Sequence, residues 1–135
     1  MTEFERELGK VEKVTFGFED HGLLTLNVAL SFSGSGQSFG GLCLWSPHRR
    51  EGVSREQLGI EGAATCDYLC SVLALFGVDD FEAVEGRYCY ALRRDGRLGR
   101  IEGLQLPEVD GGGRFVIDEW RAKWWPEKYR KGEGR

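Results

Sequence analysis

Two runs of alternating apolar and polar residues near the start of the chain predict a β-hairpin. In the first run, Val14, Phe16 and Phe18 alternate with polar or small residues. In the second run, the alternating apolar residues are Leu24, Leu26, Val28, Leu30 and Phe32. A period of two places one face of each strand in a core. The turn between the runs is Asp20-His21-Gly22, where glycine tolerates a positive φ.

A glycine-rich segment and a third apolar run follow the hairpin. Ser33–Gly41 consists of glycine, serine and glutamine apart from Phe39, which predicts a loop. Leu42–Trp45 is apolar throughout and predicts a third strand that is covered on both faces. Met1–Gly9, before the hairpin, is predicted to be a frayed lead-in.

The spacing of apolar residues predicts one long helix over Ala63–Phe76. Gly77 is placed to adopt the left-handed conformation that ends a helix. Before the helix, Ser54 and Gln57 have the spacing of a capping box and predict one helical turn. The predicted buried face of the helix consists of Cys66, Leu69, Cys70, Leu73 and Phe76.

The last part of the chain predicts three more strands. Arg87–Arg94 reads as a strand, Asp95-Gly96 is a hairpin turn signal, and Arg97–Leu106 is the return strand. Phe115–Ile117 supplies a short final strand, and Asp79–Gly86 predicts one short helical turn. Three tryptophans then follow at the spacing of one helical stripe that would dock on the sheet: Trp120, Trp124 and Trp125.

The resulting order, β-β-β-α-β-β-β, predicts an α+β fold. The simplest arrangement is a mainly antiparallel sheet of five or six strands with one principal helix packed on one face. A length of 135 residues with 41% hydrophobic content predicts a single domain over residues 1–127, followed by a disordered basic tail over 128–135. No signal-peptide pattern and no apolar run long enough to span a bilayer is evident, which predicts a cytoplasmic protein without a membrane partner.

The net charge of −4 conceals an uneven distribution along the chain. Residues 56–85 carry seven acidic side chains and no lysine or arginine, whereas residues 87–100 carry five arginines against one aspartate. Such asymmetry is compatible with an anionic partner, although charged hairpins are commonly just solvated. The candidate anion-binding or partner-binding residues are Arg93, Arg94, Arg97 and Arg100.

The glycine-rich segment is the best candidate ligand loop. Free N–H groups in such a loop bind phosphate or carboxylate, and glycine allows close approach to the backbone. Its spacing does not match a nucleotide-binding motif, and the competing interpretation is a hairpin loop in which glycine only satisfies the backbone. The candidate ligand-binding residues are Gly34, Ser35, Gly36, Gln37, Ser38 and Gly40.

Other candidate chemistry is sparse. Asp20 and His21 would make an acid–base pair, but a histidine in a turn commonly bonds its own backbone. The second histidine, His48, has no partner at metal-binding spacing, so we predict neither a metal nor a cofactor. Four cysteines, all with apolar neighbours, predict small reduced core residues rather than disulfides or ligands: Cys43, Cys66, Cys70 and Cys89.

Four stretches of the chain form a recognisable pattern. The first two are Glu19-Asp20-His21-Gly22-Leu23-Leu24-Thr25 and the segment Gly34–Gly41, and the last two are Gly77-Val78-Asp79-Asp80-Phe81-Glu82 and Lys123-Trp124-Trp125-Pro126. In this order, which covers most of the chain, they resemble a family of small uncharacterised proteins from tailed phages and prophages. The resemblance implies a phage-encoded, non-structural protein that works in the bacterial cytoplasm, and it implies no activity.

Three functional hypotheses follow. The first is a phage accessory protein that acts by binding and neutralises a host component, either a defence protein or a small nucleotide signal; without a nucleophile–base–orienter set, it would not be an enzyme. The second is a hydrolase or transferase that acts on a phosphate-bearing substrate through Asp20 and His21. The third is a single-stranded nucleic-acid-binding module that uses the hairpin Arg93–Arg100. An exposed sheet edge would also allow a homodimer.

Overall fold

The fold is a curled antiparallel sheet with one long helix against it. The computed structural model describes residues 4–20, 22–46, 52–94 and 99–127. Six strands form one sheet in the order β3-β2-β1-β4-β5-β6, and all neighbouring strands are antiparallel. The predicted α+β class is therefore confirmed. The strands are β1 (Glu5–Asp20), β2 (Leu23–Phe32), β3 (Ser35–Gly40), β4 (Tyr88–Arg93), β5 (Gly103–Gln105) and β6 (Arg114–Val116).

The first strand is longer than predicted, and the proposed frayed lead-in is wrong where the chain is described. β1 begins at Glu5, and its first half pairs with β4 from Glu5↔Arg93 to Lys10↔Tyr88. Its second half pairs with β2, and a register shift between Val11 and Lys13 marks the change. The paired residues are 78 to 88 positions apart along the chain, so no local sequence pattern indicates this pairing.

The glycine-rich segment is a strand rather than a loop, which corrects the sequence prediction. Ser33 and Gly34 form a two-residue turn, and β3 then pairs with β2 from Phe32↔Ser35 to Asn27↔Gly40. Phe39 is fully buried at the centre of the core. Pairing with β2 and burial of the Phe39 ring stabilise the strand more than the weak strand propensity of glycine destabilises it. The predicted third strand, residues 42–45, is irregular apart from one bridge between Leu24 and Trp45.

The principal helix, α1 (Arg55–Phe76), starts eight residues before its predicted beginning, because Ser54 caps the whole helix rather than a separate turn. The Ser54 side chain accepts a hydrogen bond from the backbone N–H of Gln57 at 3.0 Å. At the other end, Gly77 adopts the left-handed conformation and Val78 N–H donates to the Leu73 carbonyl at 3.1 Å. The predicted helix stop is confirmed.

The buried face of α1 differs from the predicted one. Tyr68, Val72 and Phe76 are buried, together with Ala64 and Thr65, whereas both helix cysteines are exposed. Tyr68 packs edge-on against two aromatic rings, which rotates the helix away from the face chosen by hydrophobicity alone. The prediction of four core cysteines is wrong for Cys43, Cys66 and Cys70, and right for Cys89.

A short second helix, α2 (Ile117–Trp124), carries the tryptophan stripe onto α1. Trp120 is buried, and its indole N–H donates to the Ala64 carbonyl at 2.9 Å. The indole N–H of Trp124 donates to Asp67 of α1 at 2.7 Å, and this bond, with Lys123, lowers the pKa of the Asp67 carboxyl. The stripe thus docks chiefly on the helix rather than on the sheet.

The sheet curls until its β3 edge meets the chain just before β5. Phe39 of β3 forms a parallel bridge with Ile101. Nearby, the Gln37 amide donates to the Gly99 carbonyl at 3.0 Å. This closure brings the end of β3 against residues 99–102 and against the start of α2, and it builds the site described below.

Several sequence predictions fall outside the described residues: His21, His48, the turn Asp95-Gly96, Arg97 and the tail 128–135. The predicted short helical turn is confirmed as a 3₁₀ turn at Glu82–Val84, where Asp80 accepts a hydrogen bond from Ala83 N–H at 2.9 Å.

Among the described helices, α1 is long and apolar enough to cross a membrane by length and composition. The core helix of a globular protein passes the same test, and α1 lays one face on the core.

Candidate anion-binding site

A cavity of about 190 Å³ lies where β3 ends, and we call it the β3–α2 cavity. The end of β3 and the residues after it form one wall, the chain before β5 forms the second, and the first turn and a half of α2 forms the third. The lining residues are Ser38, Gly40, Gly41, Leu42, Arg100, Ile101, Glu102, Ile117, Asp118 and Arg121.

Two glycines form the β3 wall because the backbone there excludes other residues. Gly40 and Gly41 have φ values of +97° and +79°, which L side chains rarely adopt. A Cβ on Gly40 would also lie 2.1 Å from the Leu26 carbonyl oxygen. Between the side chains of Ser38 and Leu42, the wall is therefore bare backbone that a ligand can approach closely.

The cavity is lined by two arginines, Arg100 and Arg121, and by two carboxylates, Glu102 and Asp118, so the formal charges of its lining balance. Arg94 forms a close ion pair with Glu102 and a longer one with Asp118, at 3.4 Å. Arg121 lies 3.5 Å from Asp118. Arg100 is exposed and forms no ion pair or hydrogen bond with any residue that the structure describes. Arg94, which does not itself line the cavity, thus holds both lining carboxylates, and Arg100 remains available to an anion.

The start of α2 adds a further preference for negative charge. Its N-cap residue, Val116, offers no side-chain cap, and Ile117 and Asp118 line the cavity. Ile117 N–H donates to the Glu102 carbonyl at 3.0 Å. The remaining N–H groups of a helix start carry partial positive charge.

A buried phenol lies directly behind the glycine wall. The Tyr68 hydroxyl is 3.7 Å from the position that a Cβ would occupy on Gly40. Tyr68 has no exposed surface, and its hydroxyl is the one buried side-chain polar atom, among the residues described, that has no hydrogen-bond partner. Burial raises the pKa of this phenol far above its ordinary value, against a smaller opposite effect of Arg121. The hydroxyl therefore remains a protonated donor at any physiological pH.

The structure brings together residues from both predicted sites. Ser38 and Gly40, from the predicted ligand loop, line the same cavity as Arg100, from the predicted anion-binding set. The other loop candidates do not line it: Gly34, Ser35 and Gly36 lie exposed at the β2–β3 turn.

Gln37 and Arg93 serve the fold instead. Arg93 is 4% exposed and donates to Gln37 Oε1 from Nε at 3.1 Å and from Nη2 at 2.6 Å. Its Nη1 lies 2.8 Å from Glu7, and its guanidinium stacks over the Phe32 ring. Because the Arg93 guanidinium already has these partners within the protein, it is not available to bind an external ligand.

The nucleic-acid hypothesis has little geometric support. Arg93 is buried, and Arg94 is held by Glu102 and Asp118 and stacks over the Phe4 ring at 4.4 Å. Arg97 lies outside the described residues. Of the predicted set, Arg100 is the described arginine that remains open to a ligand.

The proposed acid–base pair stays a prediction. Asp20 ends β1 opposite Leu23, its side chain is outside the described part of the chain, and so is His21. Within the described residues, no group of three or more histidine, cysteine, aspartate or glutamate side chains is arranged to hold a metal ion.

Of the ten lining residues, only Ser38, Gly40 and Arg100 were predicted from the sequence as site residues. Arg121 was not among the candidate arginines, and Tyr68 was not on the predicted buried face of α1. Glu102, Ile117 and Asp118 carried no signal at all, since nothing local shows that the sheet curls. A single residue offered a clue: glycine at the end of a buried strand, as at position 40, often marks close approach of another group.

Comparisons of the chain with protein-family models, with curated protein sequences and with solved structures return no match.

Proposed function

We propose that this protein binds a small anionic molecule in the β3–α2 cavity and does not transform it. The observation that carries the proposal is an unpaired, exposed arginine, Arg100, at the mouth of a cavity walled by bare glycine backbone. A phosphate or carboxylate group is the natural partner of such a guanidinium. Phosphate is the better match, since it also benefits from the start of α2.

The size of the cavity limits the ligand. Cavities for drug-sized ligands occupy roughly 300–1,000 Å³, whereas the β3–α2 cavity is about 190 Å³. The site thus suits a small phosphorylated metabolite, or the phosphate end of a nucleotide whose base lies outside. The apolar side chains of Leu42, Ile101 and Ile117 would contact the uncharged body of the ligand.

The groups that line the cavity favour binding over catalysis. Among the residues that the structure describes, Ser38 is the lining hydroxyl, and neither a histidine nor a cysteine lines the cavity alongside it. Glu102 and Asp118 both form ion pairs with Arg94, so their carboxylate oxygens are already engaged within the protein. A nucleophile with its base is therefore missing from this part of the described chain.

The biological setting is part of the same proposal. If the chain is a phage protein in a bacterial cytoplasm, as its sequence resemblance implies, the ligand is a host molecule that the protein sequesters. A phosphorylated signal of a bacterial defence is the form of the hypothesis that best fits the cavity.

Calorimetric titration of the purified protein with inorganic phosphate, glycerol 3-phosphate, AMP and acetate tests this proposal. We expect the phosphate compounds to bind, and Arg100→Gln to weaken them roughly 10–150-fold, the value of a hydrogen bond to a charged group. The matched control is Arg114→Gln, which removes the same charge from an exposed residue outside the cavity. Equal affinity of the two variants, or no binding of any of these anions, would refute the proposal.

A further inference from the structure

The sheet has an outward surface that carries aromatic and basic side chains. Val11 of β1 and Cys89 and Ala91 of β4 are buried in the core. Their neighbours on the two strands point outward, because side chains alternate along a strand. We call this surface the β1–β4 face, and it consists of Arg6, Leu8 and Lys10 on β1 and of Tyr88 and Tyr90 on β4.

We infer that the β1–β4 face binds single-stranded nucleic acid. Bases stack on its flat groups, and its cations contact the phosphates. This place differs from the predicted hairpin site Arg93–Arg100, where Arg93 and Arg94 are already held within the protein. The inference does not depend on the β3–α2 cavity.

The first argument is the exposure of large side chains on this face. Tyr88 is 53% exposed and Leu8 is 48% exposed. Leu8 lies directly opposite Tyr90 in the pairing of β1 with β4, so the exposed side chains are neighbours. Adjoining exposed apolar side chains with polar residues around them mark an interaction site.

The second argument is the arrangement of flat groups. The Arg6 guanidinium lies over the Tyr90 ring, 4.5 Å from its centroid. A guanidinium held in this way presents its other side, on which a base can stack. Tyr88 leaves β4 about 7 Å from Tyr90, since two residues separate them along the strand. Two consecutive unstacked bases would each contact one of these two groups.

The third argument is charge. Lys10 and Lys13 lie on the outward side of β1, before and after its register shift. Neither lysine nor Arg6 forms an ion pair with any residue in the described part of the chain. Glu12, between the lysines, accepts a hydrogen bond from the Ser31 hydroxyl at 2.6 Å. The face thus has a surplus of positive charge although the whole chain has a net charge of −4, and this surplus complements a phosphate backbone.

Fluorescence anisotropy of a labelled oligothymidylate with the full-length protein tests the inference. We expect binding at about 50 mM salt, with a slope of log affinity against log salt of about −2, the value for three phosphate contacts with a single strand. A slope near zero, or equally tight binding of a duplex whose bases are already stacked, would overturn the inference.

Substitutions of Tyr88 test the stacking. Tyr88→Ala should weaken the oligothymidylate about 5–150-fold, the loss of one stacked base, whereas Tyr88→Phe keeps the ring and should keep the affinity. The matched control is Phe18→Ala, which removes a ring that is also 53% exposed but packs against Trp45. Equal losses in Tyr88→Ala and Phe18→Ala, or a loss in Tyr88→Phe, would contradict the role of the ring.

A lysine substitution tests the phosphate contacts. Lys10→Gln should make the salt slope shallower by about 0.7, the value of one phosphate contact with a single strand. The control Lys123→Gln removes the same charge from α2, where Lys123 pairs with Asp67, and should leave the slope unchanged. Identical slopes for the two variants would show that Lys10 does not contact the strand.

The last comparison separates this inference from the proposed function. Arg100→Gln should leave the affinity for oligothymidylate unchanged, because Arg100 belongs to the β3–α2 cavity. A loss as large as that of Tyr88→Ala would mean that the oligonucleotide enters the cavity through a phosphate, which would overturn the inference. If no oligonucleotide binds while phosphate does, the inference fails and the proposed function stands. A dimer that Tyr88→Ala dissociates would assign the face to a second copy of the chain and would also overturn the inference.

Discussion

Arg93 and Arg100 carry the same guanidinium group in neighbouring parts of the sequence, but the fold uses them in opposite ways. Arg93 lies under the sheet edge and joins Gln37, Glu7 and the Phe32 ring. Arg100 is exposed at the cavity. Residue type alone placed both in one candidate set, because charge says nothing about burial. Only the partner of each guanidinium separates a structural arginine from a binding one.

This contrast leads to a prediction about stability. Arg93→Ala should lower the free energy of unfolding by about 2–4 kcal/mol, because it leaves Glu7 and Gln37 without their buried partner. Arg100→Ala should change it by less than about 0.5 kcal/mol, as is usual for an exposed residue. Urea denaturation of both variants provides the comparison. Equal losses would show that Arg93 is not the structural member of the pair.

At the scale of elements, β3 shows how a segment that looks like a loop becomes a strand. Its composition of glycine, serine and glutamine lacks the residues that favour strands. The strand forms because β2 offers a complete row of hydrogen-bonding groups and because Phe39 enters the core. The chain then turns at Gly40, the last residue of β3, and the backbone of Gly40 forms part of the cavity wall.

The two glycines that flank β3 should differ in their tolerance of a side chain. Both Gly34 and Gly40 have positive φ, so a left-handed strain of about 1–2 kcal/mol applies to alanine at either position. Nothing lies within 4 Å of a Cβ on Gly34, whereas a Cβ on Gly40 would collide with the Leu26 carbonyl. We expect Gly34→Ala to cost only the strain, and Gly40→Ala to cost at least about 2 kcal/mol more.

Thermal and urea unfolding of these two variants measure the difference. Gly34→Asn serves as the control for strain, since asparagine tolerates the left-handed region better than alanine. A Gly40→Ala variant as stable as Gly34→Ala would mean that the backbone at the cavity wall is not as tight as described.

The helix α1 shows that the spacing of hydrophobic residues does not always predict the buried face of a helix. Its stop was predictable, because Gly77 acts through local backbone geometry, whereas its start was placed eight residues too late because Ser54 was assigned to a separate turn. Its buried face was not predictable, because Tyr68 is amphipathic and its burial depends on Phe115 and Trp120, which arrive from the far end of the chain. Cysteines at 66 and 70 consequently lie on the exposed side.

At the scale of the whole molecule, the order of elements followed from periodicity and turn residues, whereas the site depended on closure of the sheet. The alternation of apolar and polar residues in β2 and the run of strand-forming residues in β4 are local patterns, so these strands were predictable. The bridge between Phe39 and Ile101 joins residues 62 positions apart. No sequence pattern within either segment predicts that contact. Because the contact forms, Ser38, Arg100 and Arg121 line one cavity.

The most direct test of the account is a ¹H–¹⁵N correlation spectrum recorded while inorganic phosphate is added. We expect the amide signals of Gly40, Gly41, Arg100 and Asp118 to move together and to saturate with one affinity. In Arg100→Gln, the same movement should require roughly 10–150-fold more phosphate. Signals that move only near the β2–β3 turn at Gly34, or that drift everywhere without saturation, would contradict a binding site in the β3–α2 cavity.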